Sequence, residues 1–331
     1  MSALFFSATS LFVALIALGL ERRFGYPPRL YRAIRHPVVW IGAIISDLEK
    51  QLNRAGRRDL RLRGGLTLAL VLVVVAIVTV PSALALRSFP GGFVLEAIAA
   101  ASLIAQKELG ARVGAVAFAL HRGTEEARAA VGHIVGRDTA QLDDHAIARA
   151  AVESLAENSA DGVTAPLFWL LVAGLPGIAL YKAVNTADSM IGYRSERYRD
   201  FGFAAARLDD AVNWIPARLT GLALAFAAPF SGGGTRAALR AMVRDAPAHA
   251  SPNAGWPEAA MAGALGFRLG GPRRYGETAL AGAWLGEGRA ELGPADILRA
   301  LALYRRMLDG VLALVALACL TVLAGLAPAW F

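Results

Sequence analysis

Glu153, Glu157 and Asp161 recur at i, i+4 and i+8, a spacing that puts three carboxylates on one face of a helix. Like charges so placed repel, and a divalent cation or a substrate ammonium among them would relieve the repulsion. Magnesium is the cation to expect, because it takes carboxylate oxygens and substrate phosphates in preference to closed protein cages. A solvated acidic stripe explains Glu153 equally well. Glu157, Asn158 and Asp161 instead abut the apolar Gly162-Val-Thr-Ala-Pro166, and charges set against lipid usually serve a function.

Two further polar blocks follow, Tyr181 to Arg194 and Arg207 to Arg218. Asn185 and Asp188 are spaced i, i+3, and Asp209 and Asn213 are spaced i, i+4 with Asp210 alongside, so each set presents oxygens from one helical turn. Lys182, Arg194, Arg197, Arg199, Arg207 and Arg218 are interspersed. Carboxylates to hold a metal, with fixed cations to neutralise phosphate oxygens, are the parts of a phosphoryl-transfer site. For Arg197 and Arg199, snorkelling to lipid headgroups competes with that role. A Walker-type loop is absent from the sequence, and Ser231-Gly-Gly-Gly-Thr235 and Gly270-Gly-Pro272 are only weak candidates for anion-binding nests, helix connectors being commoner. The five histidines are scattered and argue against a histidine metal site, and Cys319 stands alone, which excludes a disulfide within the chain.

The elements that position these blocks are helical and apolar. With 56% hydrophobic and 18% charged residues and a mean hydropathy of +0.47, the chain has less charge than the roughly 25% of soluble domains. Gly64 to Leu86, Gly310 to Phe331 and Ser2 to Leu20 are uncharged runs suited to crossing a hydrocarbon core of about 30 Å. The last of these lacks a basic leader and is expected to be a retained first helix. Phe93–Ala105, Gly162–Tyr181 and Leu219–Phe230 are weaker spans, giving about five to seven crossings by length. The basic segment between the first helix and Gly64, with Arg22, Arg35, Arg57 and Arg63 among its cations, fits a cytosolic loop. That distribution explains the net charge of +8 without nucleic acid, for which no module is present.

The expected fold is therefore an all-α, polytopic membrane protein with broken or re-entrant helices and a cytosolic amphipathic segment. It is read as a single membrane domain in five stretches: N-terminal helices over 1–95, the cytosolic segment over 96–149, the polar blocks over 150–230, a Gly- and Pro-rich region over 231–306, and a C-terminal helix over 307–331. Pro166, Gly174, Pro176 and Gly177 interrupt Gly162 to Tyr181. A break there, lining a polar cavity open to the cytosol, would let the Glu157 and Asp188 blocks work on one side.

Arg35-His-Pro-Val38, Ile134 to Thr139, Glu153 to Trp169, Ala183 to Tyr193, Ala206-Arg-Leu-Asp-Asp210, Ile215-Pro-Ala-Arg218 and Ser251 to Leu265 together resemble the CobD/CbiB family of cobalamin-biosynthesis membrane proteins, the adenosylcobinamide-phosphate synthases. The resemblance covers most of the chain. It implies an ATP- and magnesium-dependent ligation of adenosylcobyric acid with (R)-1-amino-2-propanol O-2-phosphate, or the free amino alcohol, in the cytoplasmic membrane. On that chemistry Glu157, Asp161, Asp188, Asp209 and Asp210 divide between magnesium binding and proton acceptance, with Glu157, Asp161, Asp188 and Asp210 as the metal set. Lys182, Arg194 and Arg207 would clamp phosphates, Asn158, Asn185 and Asn213 would orient substrate amides, and Ser251, Asn253, Trp256 and Glu258 would line the corrinoid. Partners expected besides the substrates are the lipid bilayer, a second copy of the chain or other membrane enzymes of the pathway. A corrinoid or other small-molecule transporter and a magnesium-dependent membrane transferase remain the competing functions.

Overall fold

A computed structural model describes residues 7–54, 56, 58–136, 138–193, 195–275, 278–280 and 282–325. Arg57, Arg137, Arg194, Gly276 and the ends of the runs Ser2–Leu20 and Gly310–Phe331 lie outside them. The chain is helical almost throughout: α1 (Ala8–Phe24), α2 (Pro28–Ile34), α3 (Pro37–Leu52), α4 (Leu60–Arg87), α5 (Gly92–Ala101), α6 (Gln106–Leu120), α7 (Thr124–Gly132), α8 (Asp144–Ser159), α9 (Ala165–Ile191), α10 (Phe203–Val212), α11 (Trp214–Ala227), α12 (Thr235–Asp245), α13 (Gly255–Leu265) and α14 (Pro294–Leu323). Two short antiparallel ladders pair β1 (Leu269–Gly270) with β4 (Trp284–Leu285) and β2 (Arg273–Tyr275) with β3 (Thr278–Leu280).

Among the described residues three helices are long and apolar enough to cross a membrane: Leu60–Arg87, the run Asp144–Ile191, and Pro294–Leu323, or four if the pair α10 and α11, bent by 46°, makes one span. This is a helical membrane protein, and among the described residues the helices that meet that length and composition are fewer than the five to seven crossings expected. Phe93–Ala105 yields only the ten-residue α5, about 15 Å long, and α1 stops at 17 residues. The last helix starts well before 307 because Ile297, Leu301, Tyr304 and Leu308 form a buried stripe at helical spacing.

The chain divides into two compact units, one of Met1–Ala105, Ala165–Asn213 and Leu314–Phe331, the other of Gln106–Thr164 and Trp214–Ala313. In the first, α1 packs on α5 and α4 on α9, with Ala14, Ala17, Ala97 and Ala100 fully buried. Small side chains let helices approach closely where lipid gives no hydrophobic drive. The break expected in the segment from Gly162 is present: Ala173 (φ −138°, ψ 22°) and Gly174 (φ 62°, ψ −155°) leave helical geometry inside α9. Pro176 follows and cannot donate a backbone bond. Glu96, fully buried, accepts the Leu175 N–H freed by the break at 3.3 Å and two bonds from Arg87 at 2.7 Å each, while Arg87 also reaches Ser10 Oγ at 3.2 Å. Sequence patterning placed Glu96 at the start of a solvated segment. It is instead the acceptor that closes a helix break, because the turn Pro90-Gly91-Gly92 returns α5 alongside the end of α4.

In the second unit, α6 and α7 carry the exposed ion pairs expected of a solvated face, among them Arg112–Glu108 at 2.6 Å and Arg122–Glu126 at 3.5 Å. The helix α8 ends in a π-turn, Ala160–Thr164, where Thr164 Oγ1 returns a bond to Ser159 O at 3.2 Å. Single π-turns mark functional segments often enough that this one, holding Asp161, is of interest.

Candidate functional site

In the first unit the second half of α9 and the helix α10 bring two of the polar blocks together. Asp209 is held by two amides, Asn213 Nδ2 at 3.0 Å and Asn185 Nδ2 at 3.4 Å. Behind Asn213, buried at 1% exposure, the Tyr181 hydroxyl donates to Asn213 Oδ1 at 2.9 Å. Lys182 Nζ donates to Asn185 Oδ1 at 3.2 Å. The result is a continuous side-chain relay, Lys182, Asn185, Asp209, Asn213 and Tyr181. The i, i+3 and i, i+4 spacings place its members on facing helical turns. Each asparagine oxygen takes a donor and each asparagine nitrogen gives one, so the orientation of both amides is fixed.

Asp188 stands half-buried beside this relay, and its carboxylate lies over Gly192 so closely that any side chain at 192 would collide with it. Asp210 is partly exposed, with Arg207 Nη1 4.0 Å from Oδ2; Arg207 is itself exposed. Arg194 lies outside the described residues. Arg197 is taken up by the buried Glu49, at 2.8 and 3.1 Å. His36, which sequence analysis set aside, is half-buried at the start of α3, where Nδ1 accepts the Val38 N–H at 3.2 Å. Burial pushes its imidazole below the usual range, and the charge of Lys182 acts in the same direction. Its proximity to the relay was not legible in the sequence, where 145 residues separate His36 from Tyr181.

The second unit treats its polar residues differently. Glu153, Glu157 and Asp161 end in three environments, buried, exposed and half-buried respectively; the first two lie in regular α8, and only Asp161 is shifted by the π-turn that begins at Ala160. Glu153 Oε1 accepts the Gly270 N–H at 2.7 Å, so an internal carboxylate occupies the glycine loop read as a candidate nest. The other glycine loop is a connector, with Gly233 and Gly234 donating to Ala228 O and Ala264 O. Asn158 Nδ2 donates to its own helix at Ser154 O, 2.9 Å. Ser251 Oγ accepts the N–H groups of Asn253 and Ala254 at 3.2 Å, and Trp256 Nε1 donates to Pro252 O at 3.2 Å. Asn253 and Glu258 are buried at 7% and 2% exposure. Glu258 Oε1 lies 3.7 Å from His249 Nε2, and His249 Nδ1 accepts the Ser251 N–H at 3.0 Å. This His–Glu pair was missed; its one signal was the polar string Asp245 to Asn253 ahead of an apolar helix.

Among the described residues no group of three or more His, Cys, Asp or Glu side chains forms a metal cage. A magnesium ion completed by substrate phosphates needs only one or two carboxylates. Asp188 and Asp210 supply such hard oxygen donors, so the donor chemistry fits that ion.

Helical architecture, candidate spans and a carboxylate–amide relay at a broken helix define a membrane protein with a built polar site. Comparison with known proteins is specific: residues 14–304 match the family model described as CobD/Cbib protein. The chain is 51% identical over 297 residues to a cobalamin biosynthesis protein CobD of Rhodobacter capsulatus, covering 89% of this chain and 93% of that one. It is 49% identical to the Brucella suis protein of that name, covering 89% and 92%, and 46% identical to that of Rhizobium meliloti, covering 82% and 84%. No solved structure matches. The chain belongs to the CobD/CbiB family.

Proposed function

We propose that the chain acts in cobalamin biosynthesis as an ATP-dependent ligase, joining the free carboxylate of adenosylcobyric acid to (R)-1-amino-2-propanol O-2-phosphate or the free amino alcohol. The observation that carries this reading is the relay around Asp209, a fixed carboxylate flanked by a lysine, in a chain half identical to proteins named for that pathway. A carboxylate is a poor electrophile. Its oxygen attacks the γ-phosphorus of ATP, the bond to the bridging oxygen breaks and ADP leaves. The amine then attacks the acyl carbon, phosphate departs with its bonding pair, and the amine's extra proton passes to a protein carboxylate.

Asp188 and Asp210 are the candidate magnesium ligands; the ion would neutralise phosphate charge. Lys182 and Arg207, with Arg194, meet phosphate oxygens. Asp209 has both oxygens engaged by amides, which suits a carboxylate that must keep its position while accepting a proton. Asn185 and Asn213 fix Asp209, and Asn158 orients a substrate amide. Ser251, Asn253, Trp256 and Glu258 line the corrinoid side. The site is proposed to open to the cytosol across the cytoplasmic membrane, since ATP is there; labelling of a cysteine placed at 188 from the outer face alone would refute that.

The test is conversion of adenosylcobyric acid by the purified protein in lipid, with the phosphorylated and free amines compared and nucleotide products followed. Amide with ADP supports the acyl-phosphate route, and amide with AMP replaces it by an adenylate. No amide with either amine, from folded protein, overturns the ligase and favours transport.

A further inference from the structure

Among the described residues of the second unit, Arg218 is stacked on two indole rings. The guanidinium carbon of Arg218 lies 4.1 Å from the ring centre of Trp214 and 4.4 Å from that of Trp256. Trp214 is one turn earlier on α11, so that contact follows from i, i+4 spacing. Trp256 comes from α13, which packs against α11. Both partners are pinned: Arg218 Nη1 donates to Trp214 O at 2.6 Å, and the Trp256 indole donates to Pro252 O.

Several other arginines are matched by a carboxylate with little exposure, as in Arg87–Glu96, Arg197–Glu49 and Arg244–Asp245. Among the described residues Arg218 forms no ion pair with a carboxylate. Indole faces attract the cation but supply no anionic acceptor to its N–H groups, of which one is given to the Trp214 carbonyl. A planar fork held in this way matches two oxygens of a phosphate. The cost of ordering a long side chain before ligand arrives is already met by the stack.

We propose that Arg218, clamped between Trp214 and Trp256, is a receptor for a phosphate oxyanion. Two sources share this chemistry. One is the phosphate of a soluble substrate, ATP or the phosphorylated amine, and that identification rests on the ligase reading above. The other is a lipid headgroup, because Trp214, Ile215, Leu219, Leu222 and Phe226 are exposed along the same helix and would meet acyl chains.

The experiment measures binding without turnover, so it stands if the ligase reading fails. Full-length protein in nanodiscs of neutral galactolipid is titrated with tripolyphosphate and with aminopropanol phosphate at constant ionic strength, following tryptophan emission. In a second arm no soluble phosphate is added and the fraction of phosphatidylglycerol is raised. The expected result is a saturable change weakened about tenfold in R218K, which keeps the charge but loses the fork, and weakened to a smaller degree in W256F. A response confined to soluble phosphates identifies a substrate handle, and one confined to phosphatidylglycerol identifies a headgroup site. Should R218K lose its near-ultraviolet circular dichroism, W256F decides alone. Titrations of both variants that overlay the wild type in both arms overturn the proposal.

Discussion

The two units use the same residue types in opposite ways. In the first, polar side chains bind one another: lysine to amide, amide to carboxylate, carboxylate to amide, amide to phenol. In the second, the candidate site residues mostly bind backbone, with Glu153 on the Gly270 N–H, Asn158 on Ser154 O, Ser251 on two amides and Trp256 on Pro252 O, while Glu258 faces His249. Side-chain bonds to backbone hold loops and helix ends in place. A network of side chains alone does little for the chain path and is worth keeping for what it presents to a ligand. The difference predicts which substitutions stop chemistry and which loosen the fold.

The largest expected effect is in the first unit. Asp188→Ala and Asp210→Ala should each lower turnover about a hundredfold or more, the scale of losing a catalytic proton or charge partner, while membrane insertion and melting stay near wild type. Amide formation within a few fold of wild type in both variants would remove the relay's neighbourhood as the reaction site.

Next comes the reverse pattern. Glu153→Ala strips the Gly270 amide of its acceptor in a buried setting, at a cost of about 1–3 kcal/mol. It should lower the unfolding midpoint in detergent and leave the amine KM of the surviving folded enzyme unchanged. A raised KM with unaltered melting would move Glu153 from the fold to the substrate.

The asparagines sharpen the comparison at smaller magnitude. Asn213→Ala removes the donor that fixes one oxygen of Asp209 and should cost about tenfold in kcat, one charge-assisted bond's worth. Asn158→Ala removes two bonds to Ser154 of its own helix, one to its carbonyl and one to its hydroxyl. If it nevertheless matches Asn213→Ala, Asn158 orients substrate as its place in the sequence suggests, and those bonds are incidental to its role.

These contrasts also mark where sequence alone stopped. The break near Gly174 was legible because Pro and Gly write it locally, and helical spacing put Asn185 with Asp188 and Asp209 with Asn213, but the bond from Asn185 to Asp209 comes from the packing of α10 on α9. Glu96 was not, since its partner Arg87 is brought round by the turn at Pro90-Gly91-Gly92 rather than by any periodicity. Of the three carboxylates from Glu153 to Asp161, only Asp161 is moved by the π-turn, which no local signal announced; Glu153 and Glu157 share α8 and differ in what packs over them. Arg218 was visible as a cation in a polar block, but its two-sided stack needs Trp256, which α13 supplies from 38 residues away.

The smallest effect tests whether His36 belongs with the relay or with the chain path. Its Nδ1 must be unprotonated to accept the Val38 N–H, and burial with Lys182 nearby lowers its affinity for a proton in the folded state. The unfolded chain therefore takes up the proton first as pH falls below about 6.5. Stability is complete above that value and declines as pH drops through the depressed folded value. His36→Asn keeps a capping acceptor and does not titrate. Its melting temperature should be flatter than wild type between pH 7.5 and 5, by a few degrees at most. Parallel curves would place the acid sensitivity elsewhere. A flatter curve together with a shifted pH profile for turnover would show that His36 senses the same charge at Lys182 that the reaction uses.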